Sequence, residues 1–143
     1  MVEKATVLKL LDAIERRLER LQERSATSLD VYLADPDLQA VVERNFEIAI
    51  QAAVDLGAHT LAALPDPMPE TSREVFAALA RRDWIESEVA SRLMPMAGFR
   101  NVHAHGYADL DHKQVLAHLA GLEDLRTYVA QMTARFEAVG VLP

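Results

Sequence analysis

The sequence predicts an all-α protein, an antiparallel bundle of about five helices, and three observations carry that prediction. Apolar residues recur at alternating spacings of three and four over long windows, the mark of a helix with one buried face. Polar, proline-rich or glycine-bounded stretches fall between those windows, at residues 25–35, 65–69 and 98–106. Finally, 143 residues of which 50% are hydrophobic suit one domain, residues 1–143, with a sizeable core.

Taken in order, the first helix is predicted over about 3–23, with Val7, Leu11, Ile14, Leu18 and Leu21 as its seam. Arg16, Arg17, Arg20 and Arg24 cluster on its last turns. They read either as a solvated face paired with Glu15, Glu19 and Glu23 or as a guide for phosphates. Small and polar residues then interrupt the period, leaving Leu29, Tyr32 and Leu33 as a short anchoring turn. Asp35-Pro36 is an N-cap followed by proline at the first helical position, opening a second helix that runs to about Leu64. Its seam is Val42, Phe46, Ala49, Ala53, Leu56, Thr60 and Ala63, and its many alanines let another backbone approach closely, so it is placed at the centre. Asp55 and His59 stand four apart on it. Either the carboxylate orients the imidazole in a shell supporting a site, or His59 is a helix residue with its own hydrogen bond.

Past the prolines, Thr71 or Ser72 caps a short third helix that buries Val75, Phe76 and Leu79 and closes at Arg81-Arg82-Asp83. The fourth helix begins near Ile85 and carries Val89, Leu93 and Met96. Pro95 is expected to kink or break it and Gly98 to add slack, so that Arg100 and His105 sit on a separately aimed turn. The last helix is expected over about 111–139, with Leu122, Leu125, Val129, Met132, Phe136 and Val139 inward.

Composition narrows the function. With no cysteine there is neither a disulfide scaffold nor thiol catalysis. A net charge of −7 argues against broad, sequence-independent nucleic-acid binding, so any nucleic acid must be held by a local patch. Met1-Val2-Glu3-Lys4 leads into charged periodic sequence and no run reaches the length of a membrane span, so the expectation is a cytoplasmic protein without membrane contact. There is no glycine-rich phosphate loop, which argues against ATP hydrolysis.

The chemistry is concentrated in residues 98–107, which hold Arg100, Asn101, His103, His105 and Tyr107 between and beside glycines. Arg100 is a permanently charged fork suited to phosphate, and histidine gives or takes a proton near neutrality, so Arg100 with His105 suggests phosphodiester chemistry. On a continuous helix the two would point about 140° apart, so one rigid helix does not bring them together. Gly106, a favoured helix terminator, relaxes the end at His105, and a second chain would have to supply the rest. If the helix persists, Tyr107 lies over Arg100 at i, i+4 and i+7 through Ala104. His103 and His105 face about 200° apart, which is poor ligand geometry, and Asp109, Asp111 and His112 fall in loop or in the cap of the last helix. No metal and no cofactor are therefore expected.

Arg100, four residues, His105, one residue, Tyr107 is an R-x4-H-x-Y pattern, and the chain resembles the HepT-like toxins of the HEPN superfamily of all-α ribonucleases. Asn101 fits the polar residue usual after that arginine. The likeness covers nearly the whole chain: a basic first helix, a long second helix with Glu47-Ile48-Ala49-Ile50-Gln51 and Asp55, the Met96-Ala97-Gly98 lead-in, and a closing amphipathic helix. The resemblance implies a HEPN-like homodimer with two motifs face to face, cutting RNA without metal by attack of a ribose 2′-hydroxyl on the adjacent phosphate. His105 would be the general acid or base, Arg100 would hold the scissile phosphate, and Asn101 would orient either; His103 either assists His105 or fills space. It also implies a minimal nucleotidyltransferase antitoxin as partner, adding AMP to Tyr107. A different reading stays open, in which the chain is a non-catalytic accessory or substrate-binding subunit of a nucleotidyltransferase.

Overall fold

The computed structural model describes residues 2–105 and 112–143, the stretch 99–105 as backbone. Among the described residues run seven helices: α1 (Lys4–Gln22), α2 (Leu29–Ala34), α3 (Pro36–Ala62), α4 (Ser72–Arg81), α5 (Ser87–His105), α6 (His112–Ala120) and α7 (Leu122–Ala138). None of them is long and apolar enough to cross a membrane.

The α1 seam is buried at all five predicted positions. α1 lies antiparallel on the central α3: the Glu3 backbone N–H donates to His59 Nε2 at 3.0 Å near one end, and Arg17 Nη1 to Asn45 Oδ1 at 3.3 Å toward the other. α3 opens on Asp35, whose carboxylate accepts the Leu38 N–H at 3.1 Å, with Pro36 in its first turn. Its seam holds from Val42 to Thr60, but the helix ends at Ala62 and Ala63 is exposed.

Three expectations are corrected. The anchoring turn after α1 is a true helix, α2, because Ser28 caps it by accepting the Val31 N–H and Tyr32 is drawn wholly into the core. The last helix is two: Gly121 interrupts the period, its N–H reaching back to Ala117 and His118 while its carbonyl starts α7. Because Leu119, Leu122 and Leu125 are all buried, the apolar pattern runs across the break and hides it. Within α7 the inward set takes in Tyr128, and Val139 lies exposed.

The third correction concerns Pro95, which neither breaks α5 nor starts a separate turn; the helix continues to His105. Proline removes one hydrogen bond, to the carbonyl four residues earlier. Here both Pro95 and Ser91 are on the exposed face, so that carbonyl meets water. Val89, Leu93, Met96 and Ala97 are buried on the other side and carry the helix through.

α3 meets α4 across Gly57. A Cβ there would lie 2.6 Å from Val75 Cγ1, 2.9 Å from Leu79 Cδ1 and 3.2 Å from the Tyr128 hydroxyl, which itself donates to the Ala53 carbonyl at 2.7 Å. Burial raises the Tyr128 pKa well beyond its ordinary value and keeps the phenol a donor. Gly57→Ala should therefore lower stability by about 1–2 kcal/mol, overpacking outweighing the gain in helix propensity. Denaturant unfolding checks this, and adding Val75→Ala should restore part of the loss.

α4 and α7 end in the same turn with different residues. Asp83, at φ 60°, follows α4, with the Asp83 N–H on the Ala80 carbonyl and the Trp84 N–H on the Leu79 carbonyl. Gly140, at φ 81°, follows α7, with its N–H on the Glu137 carbonyl and the Val141 N–H on the Phe136 carbonyl. A side chain in the left-handed region is strained, less so for Asp than for most. Asp83→Gly should thus raise stability by about 0.5 kcal/mol, and Gly140→Ala should lower it by about 1 kcal/mol, both read by thermal unfolding.

Candidate functional site

α5 carries the chemistry-bearing stretch, and its course follows from its neighbours. α4 runs alongside α3 in the same direction, with Leu79 near Gly57 and Arg82 paired to Asp66 at 2.8 Å beyond the end of α3. α5 returns antiparallel to α4: Gly98 lies under the Arg73 guanidinium near the start of α4. It is also antiparallel to α7, with the Glu86 N–H on Gln131 Oε1 at 2.9 Å and Arg92 near Asp124 at 3.6 Å. The motif end of α5 is thereby directed toward the first half of α3.

Positions 100, 101, 103 and 105 lie on this one unbroken helix. By its 3.6-residue period, positions 98, 101 and 105 share one side, while 100 falls about 140° from 105. The helix does not bring Arg100 and His105 to a common side. α5 ends at His105. Tyr107, Asp109 and Asp111 lie outside the described residues, as do the side chains of Arg100, Asn101, His103 and His105.

The chain re-enters at His112, the first residue of α6, against a cluster that sequence reasoning missed. Its ring packs edge-on to Tyr32 with centroids 5.3 Å apart, and Nδ1 is 3.9 Å from Glu43 Oε1. The buried Tyr32 hydroxyl donates to the same oxygen at 3.3 Å. Burial first, and then the Glu43 charge and this hydrogen bond, raise the Tyr32 pKa far above its ordinary value, so the phenol stays protonated. The available signal was a tyrosine in a polar break, eleven residues before a glutamate on the inner edge of the next helix. Two residues along α3, Asn45 is buried between Arg17 and the Val41 carbonyl, with 2.7 Å to the latter. His118 packs on Phe46 at 6.4 Å, and burial lowers its pKa. The lowered value means the unfolded chain binds its proton first, so His118 withdraws stability as pH falls below about 6.5.

The other predicted residues are placed as follows. Asp55 accepts from Gln51 Nε2 at 2.7 Å, while His59 is engaged by the Glu3 N–H at the opposite end of α3 from Glu43, so the Asp55–His59 pair does not form. Of the α1 arginines, Arg16 pairs with Asp12 at 2.8 Å, Arg24 with Glu23 at 3.4 Å, and Arg17 turns inward to Asn45.

Comparison with known proteins agrees with this architecture. A family profile described as ribonuclease HepT-like matches residues 14–132. The tRNA nuclease HepT of Aphanizomenon flos-aquae is 32% identical over 125 residues, which are 87% of this chain and 85% of that protein. The mRNA nuclease HepT of Shewanella oneidensis is 25% identical over 125 residues, 86% of this chain and 92% of that one. A solved structure of a tri-AMPylated Shewanella oneidensis HEPN toxin in complex with an MNT antitoxin superposes with a TM-score of 0.81 at 25% identity, covering 90% of this chain and 97% of the other. With a family match over most of its length and an all-α fold shared with a HEPN toxin, the chain belongs to the HepT-like ribonuclease family.

Proposed function

We propose that this protein is a metal-independent endoribonuclease toxin that works as a homodimer and is silenced by a minimal nucleotidyltransferase antitoxin. The observation that carries the reading is the R-x4-H-x-Y pattern, with positions 100 and 105 on one unbroken helix, in a chain whose relatives are named nucleases. That helix leaves Arg100 and His105 on different sides, so a second copy must complete the pair; two α5 helices facing across a dimer axis meet this need.

In the cleft, a ribose 2′-oxygen attacks the adjacent phosphorus and the bond to the 5′-oxygen breaks, leaving a 2′,3′-cyclic phosphate and a 5′-hydroxyl. His105 takes the proton from the 2′-hydroxyl or gives one to the leaving oxygen. Arg100 holds the phosphate and meets the charge that grows on it, and Asn101 orients the histidine or a phosphate oxygen. His103 either assists His105 or fills space. Asp55 and His59 would act only as supporting groups, Asp55 through its bond with Gln51 and His59 through its bond with the Glu3 N–H. The reaction is internal to the RNA, so no metal or cofactor is required. In the silenced state the Tyr107 oxygen attacks the α-phosphorus of ATP and pyrophosphate leaves, placing negative charge beside Arg100, where substrate phosphate would bind.

Expression of the chain alone should arrest growth and yield RNA fragments ending in cyclic phosphate and 5′-hydroxyl, with cleavage undiminished by a chelator. Co-expression with the nucleotidyltransferase should add AMP to Tyr107 and relieve the arrest, read by peptide mass. Harmless expression of a folded dimer that still binds the nucleotidyltransferase would overturn the toxin reading. The net charge of −7 would then favour the accessory subunit.

A further inference from the structure

We propose that the outer groove between α4 and α5 is the track for single-stranded RNA flanking the cut bond, held by Arg73 at one end and Arg81 at the other. The proposal rests on the ribonuclease reading and names the surface that reading lacks. A protein of net charge −7 holds RNA only through a local patch, and of the four α1 arginines Arg16 pairs with Asp12, Arg17 with Asn45 and Arg24 with Glu23, which leaves Arg20 alone among them without a side-chain partner among the described residues.

The groove has a volume of about 250 Å³. Ala77 and Ala80 from α4 and Ser87, Ala90 and Ser91 from α5 line it with small side chains, and Met94 lies at its end toward the motif. Arg81 lines its far end. At the near end, the Arg73 guanidinium lies over Gly98, its Nη1 3.5 Å from where a Cβ would stand. Positions 94, 98, 101 and 105 succeed one another on this side of α5, so a strand that leaves the groove at Met94 and follows the helix passes Arg73 and reaches the positions of Asn101 and His105.

Both arginines are exposed, and among the described residues neither has an ion-pair or hydrogen-bond partner. Of the acids nearby, Glu88 pairs with Arg92, Asp66 with Arg82, and Glu74 accepts the Glu70 N–H, while Asp83 and Glu86 are exposed beside the Arg81 end. Eight residues separate the two cations, about 12 Å along α4, a span suited to phosphates about two nucleotides apart on one strand.

The test uses the full-length protein carrying His105→Ala, which binds substrate without cutting it, and a fluorescent unstructured RNA oligonucleotide. Adding Arg73→Ala and Arg81→Ala should weaken binding about tenfold at low salt. The slope of log affinity against log salt should fall by about 1.4, near 0.7 for each phosphate that the two cations neutralise on a single strand. Arg73→Lys with Arg81→Lys should keep most of the slope, and Arg16→Ala should change neither quantity. In the otherwise native chain the double alanine variant should raise KM for RNA with kcat retained. Since both side chains are exposed, melting should be unaltered. Unchanged affinity and slope in a chain that still cuts RNA would overturn the track and leave the ribonuclease reading standing. A native chain that neither binds nor cuts RNA would overturn both.

Discussion

Replacing His105 with alanine should slow RNA cleavage by about 10²–10⁴-fold, the usual worth of one general acid or base. The loss should appear in kcat, because the imidazole acts on protons that move only in the reaction, while RNA affinity is set by cations that the variant keeps. His105 is the last residue of α5, and a melting curve of the variant separates lost chemistry from a lost fold. A rate measured against pH provides the second reading: the limb that reports this histidine should vanish in the variant. A variant that cuts RNA at the native rate would remove His105 from the chemistry.

Two inactive copies should make an active one. If Arg100 from one chain serves with His105 from the other, a dimer of an Arg100→Ala chain and a His105→Ala chain holds one whole pairing and one lacking both groups. Random mixing gives half such dimers, so activity should return to about a quarter of the native level, starting from two proteins that are each nearly inert. Dissociation and reassembly of the purified variants, followed by an RNA cleavage assay, measures it directly. No recovery in a mixture shown to exchange subunits would mean that each chain completes its own site, against the direction that α5 imposes on positions 100 and 105.

The bundle was legible in the sequence because burial leaves a period. Val7 to Leu21, Val42 to Thr60 and Val75 to Leu79 are all inside where spacing put them. Features that leave no period were lost. α2 exists through a cap and one buried tyrosine, six residues being too few for a repeat. Gly121 parts two helices without disturbing the apolar rhythm on either side. Pro95 was overvalued because a sequence does not say that the affected carbonyl faces water. The R-x4-H-x-Y stretch was legible as chemistry, since five functional groups in ten residues serve no core. The Tyr32–Glu43–His112 cluster was not: it joins three segments, and only the fold brings residues 32, 43 and 112 together.

Because α5 runs through Pro95 without a break, the proposed centre is complete only in a pair of chains, with positions 100 and 105 on different sides of the helix in each. Where pairs dissociate, the competent species grows with the square of chain concentration, so twofold dilution costs about fourfold in rate. A cell harbouring such a protein would meet a response steeper than the dose: slow leakage of synthesis does disproportionately little, and a surge disproportionately much.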